Sequence, residues 1–231
     1  KIGRGTDNIA MGPAMTREQA IQCLETGIET ALEQIAAGSD LLACGDMGIG
    51  NTTPSSAITS VITGAGTDVT TGRGTGLDDA GLAHKASVVK RAIYVNKPDA
   101  KDGLDVLMKV GGFEIGVLAG VFLGAAAGHR PVIVDGFISG AAALIAYTIA
   151  PEAAHRFIAS HQSVEPGHRI SLSHMGLAPL LDMGMRLGEG SGAALSMHIV
   201  EAAAKCLSDM ATFAEAGVSE KIEDDGDEAA S

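Results

Sequence analysis

The stretch "DLLACGDMGIGNTTPSSAI", residues 40–58, reads as a strand, a glycine-rich turn and the start of a helix. "DLLACG" is a short apolar run of the kind that parallel sheets bury on both faces. Gly45, Gly48 and Gly50 interrupt it, and Pro54 suits the first turn of a helix. A glycine loop that opens a helix holds anions well, because unpaired N–H groups and the helix dipole converge there. It is not the phosphate loop of NTPases, since no Gly-Lys-Ser/Thr follows. Read alone, the loop is either a nest for a phosphate or carboxylate, with Asp46 free to meet a sugar hydroxyl or a ring, or a tight turn whose glycines serve packing.

Outward from this unit the pattern repeats. Residues 15–37 read as an amphipathic helix, with Thr16 and Gln19 as a capping box and Ile21, Leu24, Ile28, Leu32 and Ile35 as its apolar stripe. A second glycine loop, "TTGRGTGLDDAG" (70–81), precedes a helix over about 78–96. "GGFEIGVLAGVFLGAAAG" (111–128) reads as a buried helix and "RPVIVDG" (130–136) as a buried strand ending in Asp135 and Gly136. "FISGAAALIAYTIA" (137–150) is another apolar helix, and "RFIASHQS" (156–163) a further strand ending near Ser163. From about residue 186 to Gly217 the chain reads as one long helix entered through a glycine turn that holds Glu189. Strands alternating with helices predict an α/β fold with a parallel sheet flanked by helices. The glycines and polar residues fall at the carboxyl ends of the strands, where such sheets bind ligands.

Composition narrows the function. Of 231 residues 46% are hydrophobic, enough for a sizeable core, while aromatics are 3% and Trp is absent. That argues against a base-stacking nucleic-acid module. The formal net charge of −12 disfavours DNA, RNA and anionic membrane as partners. Part of that charge lies in "SEKIEDDGDEAAS" (219–231), read as a solvated acidic tail. Cys23, Cys44 and Cys206 show no disulfide or zinc spacing, which fits a reducing, cytoplasmic setting. The most apolar run, "VLAGVFLGAAAG", is too short to span a bilayer.

Several residues carry both a chemical and a plain structural reading. "GRGTG" (72–76) is a second nest or a surface loop, and Lys85 reaches back to a phosphate or is a solvated helix lysine. Asp135 does chemistry or caps the next helix. "SHQSVEPGH" (160–168) gathers His161, Ser163, Glu165 and His168 without the second ligand set a metal site needs. Glu189 stands between two glycines with no packing task, so a ligand approaches its carboxylate closely; in a dry pocket its pKa would rise toward that of a useful base.

Six motifs together, "GDMGIGNTTPSSAI", "GRGTGLDDAGLAHK", "GGFEIGVLAG", "PVIVDGFISGAAALIA", "SHQSVEPGH" and "LGEGSGAALSMHIVEAA", resemble in order and spacing the nicotinate-nucleotide–dimethylbenzimidazole phosphoribosyltransferase family, over about residues 10–215. The resemblance implies a Rossmann-like α/β domain with a smaller helical part, a homodimer, and transfer of 5-phosphoribosyl from nicotinate mononucleotide to 5,6-dimethylbenzimidazole in cobalamin biosynthesis, with no metal or redox cofactor. It implies Glu189 as the base, Gly48, Gly50, Gly74, Lys85 and Ser163 at the phosphate and ribose, Asp46, Asp135 and Gly136 near nicotinate, and Met47, Ile49 and Leu187 along the aromatic base. The implied organisation is a substrate domain over 1–185, a helical part carrying Glu189 over 186–218, and the tail. Two departures are expected: the family's N-terminal segment, which helps form the benzimidazole pocket, is missing, and Asp46 replaces the family's usual Glu. A divergent or shortened member that binds nucleotide with little turnover is the alternative expectation. An oxidoreductase with a dinucleotide at the strand ends is weaker, since "GRGTG" lacks the G-x-G-x-x-G pattern.

Overall fold

The structure, a computed structural model, describes residues 1–74 and 76–218, so the acidic stretch 219–231 lies outside the described residues. The chain divides into two compact units, Lys1–Ser196 and Met197–Ser231. The first unit holds a three-stranded parallel sheet of β1 (Leu42–Cys44), β2 (Val132–Val134) and β3 (Phe157–Ala159), in that order. Leu42 pairs with Val132 and Val132 with Phe157, so the three strands end level with one another. The parallel α/β reading therefore holds.

β2 is central and every residue of it is buried, which suits its β-branched sequence Val-Ile-Val. β1 differs from expectation. It is an edge strand and Ala43 is exposed, so only Cys44 of its three residues is fully buried. β3 ends at Ala159 rather than near Ser163. Beyond it the backbone turns to a new partner: Leu181 N–H donates to Ser160 O at 2.9 Å and Gln162 N–H to Leu181 O at 2.8 Å.

Nine α-helices occur among the described residues. α1 (Arg17–Ala36) starts at Thr16, whose hydroxyl accepts from Gln19 N–H while the Gln19 side chain accepts from Thr16 N–H, the expected capping box. Thr16→Ala is expected to cost about 1 kcal/mol, read as a shifted denaturant midpoint. The stripe proposed for α1 is corrected. Its buried residues are Ala20, Cys23, Gly27 and Ala31, while Ile21 and Leu32 are exposed. The cause is close packing on α6 (Phe113–Ala127): a Cβ on Gly27 meets the Val117 carbonyl, and one on Gly120 meets the Leu24 carbonyl. Small residues let the two backbones touch, so large ones are pushed to the flanks.

α2 (Thr52–Thr63), α4 (Asp79–Asn96) and α7 (Phe137–Ile149) fall where the pattern placed them. α3 (Thr67–Thr70), α5 (Gly103–Val110) and α8 (Pro166–His174) have no counterpart among the expectations. α5 is capped by Asp102, which accepts from Leu104 and Asp105 N–H, and buries Val106, Leu107 and Val110. α9 (Ser191–Asp209) ends at Asp209 rather than running on to Gly217. No helix among the described residues is long and apolar enough to cross a membrane.

Candidate active site

The loops after the three strands meet on one side of the sheet. Gly45 follows β1, and a Cβ there would strike the backbone of Gly190. Gly136 follows β2, and a Cβ there would lie 3.0 Å from the Gly188 Cα. His161 lies just beyond β3, and a Cβ on Gly192 would strike its ring. The glycines of three sequence-distant motifs are thus where backbone packs on backbone or ring, which places Glu189 beside the carboxyl ends of β1 and β2.

Both peptide units flanking Glu189 are fixed. The Gly188 carbonyl accepts from Asp46 N–H at 3.1 Å, and Gly190 N–H donates to Asp135 Oδ2 at 2.9 Å. Gly188 and Gly190 have φ of +75° and +88°, a left-handed backbone that favours glycine. Glu189 itself is exposed at the rim of an open cavity, which corrects the picture of a carboxylate in a dry pocket.

The cavity has a volume of about 500 Å³, within the range of small-molecule clefts. Asp46, Gly48, Gly74, Ser163 and Glu189 contribute to its walls. Met47, Ile49 and Leu187 stand largely exposed along it as an apolar margin. The arrangement offers a polar, glycine-lined end and an apolar flank to one ligand. Gly50 and Lys85 line an adjoining cavity on the other side of Gly74.

Asp135 and Gly136 do not line the cavity. Asp135 is fully buried, and Oδ1 and Oδ2 accept from Ala193 N–H at 2.8 Å and Gly190 N–H at 2.9 Å. It therefore caps a helix, but α9 rather than the next helix α7. His161 lies behind it, with Nδ1 3.8 Å from Oδ1. Ser160 donates to the Asp135 carbonyl, which leaves its hydroxyl oxygen to accept from His161 Nδ1–H at 2.9 Å. Burial lowers the His161 pKa, against the opposing pull of Asp135. His168 accepts from Ser163 N–H at Nδ1, and burial, helped by His161, lowers its pKa to about 3.

Neither glycine loop is empty-handed. In the first, Asp46 Oδ1 accepts from Gly48 N–H at 3.2 Å and from Asn51 Nδ2 at 2.5 Å. In the second, Gly74 N–H donates to Glu165 Oε1 at 3.1 Å, and Gly72 lies against the same carboxylate. Each loop holds one of the protein's own carboxylates. The "GRGTG" loop follows α3, not a strand, which removes the context a dinucleotide fingerprint requires.

Lys85 is buried, so its reading as a solvated helix lysine is corrected. Its Nζ donates to Thr52 Oγ1 at 2.8 Å and to the Gly72 carbonyl at 2.9 Å, pinning the second loop to α2. Burial lowers its pKa, partly offset by Glu165. Sequence reasoning gave no site role to Thr52, Glu165 or Arg186, all of which line the main cavity. Glu165 was legible as a member of "SHQSVEPGH". Arg186 carried no signal beyond standing three residues before Glu189.

A parallel sheet with its binding loops at the strand ends, glycine turns around a carboxylate and an apolar margin defines an α/β small-molecule-binding protein. The family follows from comparison with known proteins. A family model described as phosphoribosyltransferase matches residues 1–218, and the chain belongs to that family. The nicotinate-nucleotide–dimethylbenzimidazole phosphoribosyltransferase of Dehalococcoides mccartyi is 60% identical over 220 residues, covering 95% of this chain and 62% of the relative. Its namesake in Desulforudis audaxviator is 58% identical, covering 97% and 64%. The crystal structure of CobT from Thermus thermophilus superposes with a TM-score of 0.89 at 44% identity, over 96% of this chain and 66% of that one. The chain thus spans just under two thirds of the length of the relatives it matches.

Proposed function

We propose that this chain carries the active-site face of a phosphoribosyltransferase that moves 5-phosphoribosyl from nicotinate mononucleotide to 5,6-dimethylbenzimidazole, yielding α-ribazole 5′-phosphate and nicotinate. The single observation that supports it best is Glu189, held from both flanking peptides at the edge of a cavity that is polar at one end and apolar along its flank. In this reading the Glu189 carboxylate takes the proton from one ring nitrogen of the benzimidazole. The other nitrogen attacks the anomeric carbon from the face opposite nicotinate. The bond from that carbon to the nicotinate ring nitrogen breaks, and its electron pair neutralises the ring cation. Positive charge builds on the sugar, as in glycoside cleavage.

Gly48, Gly50, Gly74, Lys85 and Ser163 take the phosphate and ribose in this reading, Asp46 lies at the nicotinate end, and Met47, Ile49 and Leu187 flank the aromatic base. Asp135 and Gly136 act from behind the Glu189 loop. The homodimer stands as part of the same proposal, on the family resemblance. The test is direct: incubate the chain with nicotinate mononucleotide and dimethylbenzimidazole and look for α-ribazole phosphate and nicotinate by chromatography and mass spectrometry. Nucleotide binding without product rejects the transfer reading for this chain.

The Lys85 ammonium has three donors, of which two are used. Lys85→Ala is expected to weaken nicotinate mononucleotide binding by roughly 10–100-fold, the worth of a hydrogen bond to a charged group. The dephosphorylated nucleoside should be far less affected. Calorimetry showing equal losses for both ligands would reject a phosphate role.

A further inference from the structure

We infer that Asp135 is a positioning residue for Glu189, a role that rests on the proposed function and extends it. Asp135 touches no cavity wall, yet its two carboxylate oxygens hold Gly190 N–H and Ala193 N–H, the first of which belongs to the peptide bond leaving Glu189. The peptide entering Glu189 is fixed independently by Asp46 N–H on the Gly188 carbonyl. Removing the Asp135 contact leaves Glu189 tethered on one side only, between two left-handed glycines that resist little.

A carboxylate buried to this degree needs compensation. The first-turn N–H groups of α9 supply it, with the positive end of the helix dipole behind them. His161 contributes a neutral N–H donor directed to Ser160, because burial lowers its pKa, so no buried cation is required. The charge of Asp135 is therefore spent on orienting the α9 start. A side chain set by such contacts matters to rate rather than to substrate affinity, since displacing a reacting group by about 1 Å costs on the order of 10²-fold.

Asp135→Asn keeps the shape and one acceptor, so one of the two N–H bonds is lost. Hydrogen exchange at the Gly190 and Ala193 amides is expected to quicken by about tenfold or more while the β2 amides keep their protection. The kcat for transfer is expected to fall by on the order of 10–10²-fold with KM for nicotinate mononucleotide within about twofold. In a Glu189→Gln background the same change should lower the residual rate no further, since its effect passes through Glu189. Unchanged exchange at both amides overturns the inference, as does a kcat loss that adds in full to that of Glu189→Gln, or a loss carried in KM. If the unaltered chain shows no transfer, the functional reading fails, and the exchange data still decide whether Asp135 holds the Glu189 loop. Should Asp135→Asn not fold, Ala193→Pro removes the other donor from a helix first turn, where proline is tolerated, and is judged by the same measurements.

Discussion

Glu189→Gln is expected to lower transfer to dimethylbenzimidazole by about 10²–10⁴-fold at neutral pH, the usual contribution of a general base. Binding of nicotinate mononucleotide should be nearly intact. Gln keeps the size and the hydrogen-bonding tip but cannot accept the benzimidazole proton. The side chain packs against nothing that its loss would disturb, being exposed at the cavity rim. Stability should accordingly hold within about 0.5 kcal/mol, as for surface changes generally. Steady-state kinetics with both substrates saturating, beside calorimetry with the nucleotide alone, measure the two halves separately. Turnover near that of the unaltered chain, with binding preserved, removes Glu189 from the base role.

Gly45→Ala is expected to have the second-largest effect, for a steric reason. The added Cβ collides with the backbone of Gly190, and a backbone yields less readily than the end of a side chain. The two loops must separate, and Glu189 moves with Gly190. Overpacking of this kind costs about 1–3 kcal/mol, and a displacement of about 1 Å at Glu189 lowers the rate by on the order of 10²-fold. Gly5→Ala is the control, since a Cβ there meets nothing within 4 Å. Thermal unfolding and transfer rate, measured on both variants, separate the outcomes. A Gly45→Ala chain with normal stability and rate shows that the contact between the loops after β1 and before α9 is not needed.

Much of the fold was legible because local signals agreed with one another. Thr16 and Gln19 marked the start of α1 by capping chemistry that acts within four residues. The run Val132–Val134 announced a central strand, since such a strand is buried on both faces and apolar throughout. The apolar stripe of α1 misled, because periodicity reports which residues are apolar, not which face meets another backbone. The contact of Gly27 with Val117 needs the two helices in place before it exists. Likewise α8 begins at Pro166 within a polar stretch, and its start was masked by the cluster of His, Ser and Glu around it.

The sequence by itself determined the parallel α/β class, the loops at the strand ends and the isolation of Glu189 between two glycines. Each of these is a pattern of neighbouring residues, and short-range sterics and hydrogen bonding act on such patterns directly. Only the tertiary structure decided that Lys85 is buried beneath the second glycine loop, that the nests hold Asp46 and Glu165, and that Asp135 clamps the start of α9 rather than facing the cavity. Asp135 and Ala193 are 58 residues apart. A buried carboxylate takes whichever N–H donors the packed chain brings to it, and that choice is made when helices and sheet close together, not by any neighbour in the sequence.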